Sequence, residues 1–533
     1  MASGITITTI LKVLFLCEIS MTDCAKILYL PFPLYSHIQT VTWLRDDLKD
    51  FGHDLWIAYP DVLAPRGILN DPSFNFIKYD SLGDVDPDKY YIKPAVDFYL
   101  DPDNFRSITT GIFHLVNRAL RYVDPTHPPI DMFKSANVMN ELVLRDAKLL
   151  DTIKSHNFDL LLVDGTVGMP YAIIAYKLDI PFCFIGPFYD SWRTGAPTYP
   201  SFSPIIGLGA SDTMGFKDRV VSTLQHILLM VANPLMAESM VSLYASEKPY
   251  ISLTNLVSKA ELWLVEQDTV LDFPRSAMPN TKFVGGLSVH NSKPLQGRFK
   301  TFYENATTGV VVVSFGGSVK ALPKQFEDKL VRAFTLTKYS FVWRSNITSS
   351  IGKNLLVSDW IPQNDLLGQS KTKLFITHCG AYSQYESIYH GVPMIGMPVY
   401  AEQHYNSRRM AWKKYGLAMD FHKNSAEELA QAIITVIDSP IYKENVVKAS
   451  MIFRDKTLTP RQEAAYWIDH VIKYGGSYFR SAGLDLTWYQ FMCVDVLSFI
   501  VAMMMVFLYS SYKSVIYIAN FFFKVCKHKT KVE

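Results

Sequence analysis

The chain has 533 residues, 49% hydrophobic and 14% aromatic, which argues against a disordered protein and allows large cores without disulfide or metal staples. Its net charge of +2 argues against a nucleic-acid partner, because a dedicated binder carries a basic excess or stripe. Charged residues make up only 19%, below the about 25% of ordinary soluble domains, a deficit that points to a membrane segment or a greasy surface.

Taken in chain order, Ile5 to Cys17 is apolar apart from Lys12 and shorter than the ~20 residues of a spanning helix. Thr22 and Cys24 are small residues at −3 and −1 before Ala25, so residues 1–24 read as a signal peptide. From Ala25 to about Trp488, short apolar runs alternate with helical patterns. Lys26–Pro31 precedes a helix over Ile38–Phe51, stopped by Gly52, and Asp54–Tyr59 is the next strand. Asp159–Val163 leads to a helix near Pro170–Leu178 and then to the strand Pro181–Gly186. Val310–Phe315 leads to a Gly-rich turn and a helix from Pro323; Leu374–Thr377 leads to another turn and helix. The stretch 86–129 is rich in Asp and Pro and gives little pattern.

Continuous apolar strands alternating with helices predict parallel sheets covered on both faces. More than 400 residues in one sheet is unusual, so the expected fold class is α/β with two doubly wound, Rossmann-like domains. Pro and Gly interrupt the pattern at Asp272–Gly286, which places the domains at 25–285 and 286–488.

Val496–Tyr512 is an uncharged run of 17 residues; Lys513 interrupts, and a second apolar run reaches Phe523. This predicts a transmembrane helix within 489–523, in contact with membrane lipid. Lys524, Lys527, Lys529 and Lys531 follow, so the tail 524–533 is expected in the cytosol and the large body in a lumen, a single-pass type I arrangement. The tail lysines at −3 and −5 look like a dilysine signal for the endoplasmic reticulum. Asn305 and Asn346 open sequons that fit a lumenal body. The six cysteines show no C-x-x-C pair and no metal spacing, so neither a disulfide framework nor a metal site is expected.

Doubly wound sheets bind ligands at the carboxyl ends of their strands. The residues there are Ser36-His37, Asp164, Gly316-Gly317-Ser318 and His378-Cys379-Gly380. In the last group, small residues admit a ligand to backbone N–H groups and the following helix offers its positive N-terminus. His378, Gly380 and Ser383 can donate hydrogen bonds there, which suits a diphosphate. Trp360 can stack a base, Glu386 can accept from ribose hydroxyls, and Glu402 and Gln403 offer acceptors and donors to sugar hydroxyls. Singly, each is ordinary: Trp360 a core aromatic, Asp164 a helix cap, His37 a turn residue, Glu402-Gln403 a solvated helix start. Neither G-x-G-x-x-G after the first strand nor a phosphate-loop sequence is present, so dehydrogenase and kinase readings lack support.

In order, the segments W360-I-P-Q, T377-H-C-G, E386, H390-G-V-P and E402-Q resemble the signature of the UDP-glycosyltransferase family, which includes membrane-bound UDP-glucuronosyltransferases and glucosyltransferases. The resemblance extends to the signal peptide, GVVVVSFGG, GAPTYPSF, the WYQ before the apolar helix and the lysine tail. It implies a GT-B fold whose N-terminal half binds the acceptor and whose C-terminal half binds the UDP-sugar. By motif it implies that Trp360 stacks uracil and Gln363 contacts the nucleoside. His378 and Ser383 bind phosphate, Ser318 faces the diphosphate, Glu386 holds ribose, and Glu402 with Gln403 hold the sugar. His37 matches the family's catalytic histidine and Asp164 its partner. A neutral histidine can take the proton of an acceptor hydroxyl, contributing typically 10²–10⁴-fold, while a carboxylate behind it fixes the tautomer. Displacement then inverts the sugar carbon. The UDP-sugar is a co-substrate, and the resemblance implies neither cofactor nor metal.

Two departures bear on the donor. Relatives often carry Ser at Gly317, whose absence removes a phosphate donor, and Asn at Tyr382, whose bulk is expected to reshape the sugar pocket. A third, Cys379 in place of Gly, also occurs in related plant sequences. The reading is a hexosyl transfer, glucuronate or glucose, onto a hydroxyl of a small lipophilic acceptor. The alternative is a non-catalytic UDP-sugar-binding subunit that regulates an active relative. The sequence leaves a homo- or hetero-oligomer open.

Overall fold

The computed structural model describes residues 24–63, 67–100, 132–189, 191–204, 211–317, 319, 322–346, 354–400 and 402–529. The expected signal peptide, except Cys24, and Ser318 lie outside the described residues, as does much of the Asp- and Pro-rich stretch.

The first sheet has seven strands: β1 (Lys26–Leu30), β2 (Asp54–Pro60), β3 (Asn75–Tyr79), β4 (Leu160–Asp164), β5 (Phe182–Gly186), β6 (Trp263–Val265) and β7 (Thr281–Phe283). Their order is β3-β2-β1-β4-β5-β6-β7, and every neighbouring pair is parallel. Every residue of β4 and β5 is buried, as expected for apolar strands covered on both faces. Alternation along β1 divides the cores: Leu28 and Leu30 share one with Met139 and Ala172, while Ile27 and Tyr29 share the other with Leu48 and Leu160.

After β1 comes α1 (Tyr35–Thr42), followed by a separate short helix, Arg45–Asp50. The sequence pattern predicts one helix over Ile38–Phe51. The break follows three consecutive β-branched residues, Thr40-Val41-Thr42, whose stiff side chains crowd the preceding helical turn.

The second sheet has six parallel strands: β8 (Val310–Ser314), β9 (Ser340–Arg344), β10 (Leu355–Ser358), β11 (Thr372–Thr377), β12 (Met394–Gly396) and β13 (Gly416–Ala418). Their order is β10-β9-β8-β11-β12-β13. Three helices border its carboxyl edge: α2 (Gln363–Leu367), α3 (Ala381–Tyr389) and α4 (Gln403–Trp412). Buried side chains join the lobes. Arg409 of α4 pairs with Asp272 from the connection after β6, and the Tyr385 hydroxyl donates to Asp272 Oδ2 at 2.8 Å. Burial holds the Arg409 guanidinium down to about 9.

Helix α5 (Pro460–Tyr474) returns to the first sheet. Its Ala464, Ala465, Ile468 and Val471 complete the core that contains Ile27 and Tyr29. The buried His53 Nε2 lies 3.2 Å from Asp469 Oδ1, and the Gly476 N–H donates to Glu261 Oε2 at 2.6 Å. Compact unit one ends at Phe479; Arg480–Glu533 form a second unit. That unit contains α6 (Val494–Lys529), of which Val494–Lys524 is long and apolar enough to cross a membrane. At about 1.5 Å per residue its 31 residues exceed the ~30 Å hydrocarbon core. Its apolar side chains, Phe507 and Phe522 among them, are exposed rather than packed in a core.

Candidate active site

Each sheet reverses its strand order once: between β1 and β4 in the first lobe, and between β8 and β11 in the second. Crevices open at such switch points. Leu30 pairs with Val163, so the residues after β1 meet the end of β4. Ser314 pairs with Thr377, which brings Gly316-Gly317 beside His378-Cys379-Gly380.

In the first crevice His37 sits in the first turn of α1, and Asp164 is the last residue of β4. His37 Nδ1 lies 2.5 Å from Asp164 Oδ2. Asp164 is 2% exposed, and its two oxygens are held by the structure. Oδ2 also accepts from the Phe32 N–H at 3.2 Å, while Oδ1 accepts from the Thr166 N–H at 2.7 Å and from the Thr166 hydroxyl. Tyr29 of β1 donates its hydroxyl to the His37 carbonyl at 3.0 Å. Gly168 lies so close that an added Cβ meets Asp164 Cβ at 2.7 Å. Burial disfavours the imidazolium, but the Asp164 charge and hydrogen bond outweigh it, and the His37 pKa is raised. For Asp164, burial pushes the carboxyl up, yet His37 and the Thr166 bonds prevail and hold it below the usual range.

The second crevice holds a polar cluster. Gln363, at the start of α2, donates from Nε2 to Ser383 Oγ at 3.1 Å and to Glu386 Oε2 at 2.7 Å, so three residues singled out from the sequence meet. Burial pushes the Glu386 carboxyl up to about 7, against the Gln363 hydrogen bond. Trp360 is 62% exposed, not a core aromatic, and its ring is open to stacking. The His378 ring lies between Gly316 and Gly380: an added Cβ on either meets His378 Nε2 at 2.6 or 2.8 Å. Burial, aided by the Arg344 charge, lowers His378 to about 4. His378 is therefore neutral at ordinary pH, and what it offers an anion is an N–H rather than a full charge.

Glu402 caps α4. Burial raises its carboxyl, and it and His37 perturb each other across the lobes. Gln403 is 2% exposed, and its Oε1 accepts from the Val399 and Tyr400 N–H groups at 2.9 and 3.1 Å. Its carbonyl is thus spent on the backbone, leaving the amide N–H₂ for a ligand. Asn305 and Asn346 are both exposed.

Three contributors escaped the sequence reading. Thr166 follows Asp164 closely enough that its position after a strand end was the available signal. Arg344 ends β9, and its guanidinium lies 3.7 Å from where a Gly317 Cβ would stand. Glu266, just after β6, is 2% exposed, and burial pushes it up to about 8. Both strand-end positions were findable by the same rule, but no motif marks them.

Two parallel-sheet lobes, each with a switch-point crevice, make up the GT-B fold. The architecture matches the glycotransferase of kitacinnamycin at a TM-score of 0.58 and 16% identity, covering 84% of this chain and 99% of that one. It also matches a UDP-glucosyltransferase from Polygonum tinctorium at 0.55 and 17%, covering 85% and 100%. The family model for UDP-glucoronosyl and UDP-glucosyl transferase matches residues 25–530, and the chain belongs to that family. Rat (Rattus norvegicus) UDP-glucuronosyltransferase 1A8 is 30% identical over 90% of this chain and 89% of its own length. The protein is a UDP-glycosyltransferase, an enzyme that moves sugar from a UDP-sugar to an acceptor.

Proposed function

We propose that the chain transfers a hexosyl group, glucose or glucuronate, to a hydroxyl of a small lipophilic acceptor with inversion, using His37 as general base and Asp164 as its partner. The observation that carries this reading is the His37 Nδ1–Asp164 Oδ2 contact of 2.5 Å in the first crevice, beside which the Glu402 charge of the second lobe helps to raise the His37 pKa. A base and a sugar-holding carboxyl then flank one reacting centre.

With Nδ1 committed to Asp164, Nε2 takes the acceptor proton. The acceptor oxygen attacks the anomeric carbon, and the bond to the UDP oxygen breaks with its electron pair leaving on UDP. Asp164 stabilises the imidazolium that forms. Arg344, the His378 N–H, Ser383 and the N-terminus of α3 stabilise the departing diphosphate. Arg344 beside Gly317 supplies a cation where the sequence suggested a lost donor. Trp360 stacks the base, Gln363 orders the nucleoside side of the cleft, and Glu386 holds ribose. Ser318 and Gly380 line the diphosphate, and Glu402 with the Gln403 amide hold the sugar. In this scheme the UDP-sugar is a co-substrate and the chain's own groups carry the chemistry.

Helix α6 anchors the enzyme as a single span, with the basic tail cytosolic and the body in the lumen of the endoplasmic reticulum, where Asn305 and Asn346 are glycosylated. The test uses membranes containing the full chain, with labelled UDP-glucose and UDP-glucuronate offered separately against pooled phenols, steroids and fatty alcohols. A product lost in His37→Ala supports the reading and settles the donor. Silence with both donors from protein that binds UDP sinks it in favour of the regulatory subunit.

A further inference from the structure

Tyr382, the residue whose bulk departs from the family pattern, does not end in the second lobe. Its hydroxyl makes a short hydrogen bond with Thr40 Oγ1 of α1 and donates to Glu266 Oε1, after β6, at 3.3 Å. Its ring meets Trp43 edge-on at 5.1 Å between centroids. One side chain of α3 thus bonds two elements of the first lobe. Thr40 and Glu266 are 3% and 2% exposed, so water does not substitute freely for either bond. Glu266 Oε2 has no hydrogen-bond partner among the described residues, so the carboxyl is held chiefly by Tyr382.

The positions of these residues matter. Thr40 lies three residues after His37 on α1, one helical turn away on the same face. Tyr382 lies in the first turn of α3, beside Ser383 and just after Gly380. The bonds therefore run from the helix that carries the proposed base to the helix whose N-terminus receives the diphosphate. Burial pushes the Glu266 carboxyl up to about 8, which disfavours a second anion near Asp164. The phenol has one proton, which it gives to Glu266, so its oxygen accepts from Thr40.

We propose that Tyr382 is a positioning residue: through Thr40 and Glu266 it sets the register of α3 against α1, and so the reach of His37 to the bound donor. This rests on the transfer reading above. A misplacement of about 1 Å between reacting groups can cost about a hundredfold in rate, so a tie between these two helices acts on turnover rather than on UDP affinity.

The experiment compares Tyr382→Phe, Thr40→Val and the double variant in the full chain in membranes. It measures kcat and donor KM in transfer and, on the same preparations, UDP dissociation constants. Phe keeps the ring against Trp43, and retained UDP binding reports a folded second lobe. Each single variant should lose about tenfold in kcat, the value of one hydrogen bond, with the UDP constant changed less than about twofold. Because both substitutions break one chain, the double variant should also lose about tenfold, not about a hundredfold. A Tyr382→Phe enzyme with kcat within about twofold of wild type overturns the proposal, as do losses that multiply or a UDP constant that weakens in step with kcat. A wild-type chain that binds UDP but transfers nothing overturns the transfer reading, and this proposal with it.

Discussion

Replacing Asp164 with Asn changes one atom of the carboxyl yet removes an acceptor that the site cannot spare. Oδ2 accepts from the Phe32 N–H and faces His37 Nδ1, while Oδ1 accepts from the Thr166 N–H and hydroxyl. An amide has one acceptor oxygen for these two clusters. If its N–H₂ replaces Oδ2, it faces the Phe32 N–H, and His37 must turn its unprotonated nitrogen to Nδ1; Nε2 then carries the proton and is no base. If its N–H₂ replaces Oδ1, the Thr166 N–H is left facing another donor. Either arrangement orphans a buried backbone N–H, costing about 1–3 kcal/mol of stability. The first also costs the reaction about 10⁴-fold, the scale seen when a triad histidine is held in the wrong tautomer. A second consequence concerns pH. Asp164 raises the His37 pKa, and the base works only when neutral, so removing the anion should move the acid limb of residual activity to lower pH. The assay is initial-rate transfer across a pH series with full-length protein, with UDP binding as a fold control. An Asp164→Asn enzyme that keeps more than about a tenth of wild-type kcat refutes the reasoning about the tautomer.

Gly168→Ala should lower kcat by about tenfold or more without weakening UDP binding, because the new methyl displaces Asp164; rates and UDP constants measured together check it. Trp360→Ala should weaken UDP binding by about 5- to 100-fold, one base-stacking interaction, with little change in thermal stability because the ring is exposed; calorimetry reads both. Glu386 titrates near 7, and its carboxylate is the stronger acceptor for a ribose hydroxyl. UDP-sugar affinity should therefore fall about 3- to 10-fold from pH 8 to pH 6 as the carboxyl protonates, and Glu386→Gln should flatten the curve.

The strands were legible because buried parallel strands are written as unbroken apolar runs, as in Leu160–Val163 and Val310–Val313. His37 and Asp164 were legible because both follow such runs, and chemistry gathers at strand ends. Trp360 was misjudged when read alone, since its exposure depends on where β10 ends and α2 begins. Arg344 and Glu266 also follow strands, but a lone charged residue there usually just meets water. The reach of Tyr382 was invisible for a different reason: its partners lie 342 and 116 residues away, and the packing of two lobes decides that distance. The return of α5 had the same origin, because an amphipathic pattern tells that a face is buried and not which sheet buries it.

That return has a consequence for the order in which the protein is made. The first sheet is translated early, but Ala464, Ala465, Ile468 and Val471, which close one face of it, come after the whole second lobe. Until α5 emerges, Ile27, Tyr29 and Leu160 lack part of their cover, and His53 waits for Asp469. The nascent first lobe therefore carries an apolar face through the synthesis of some two hundred further residues, a natural docking place for a chaperone. A hybrid enzyme made by joining the front half of one relative to the back half of another will inherit a mismatched lid unless α5 travels with the sheet it covers.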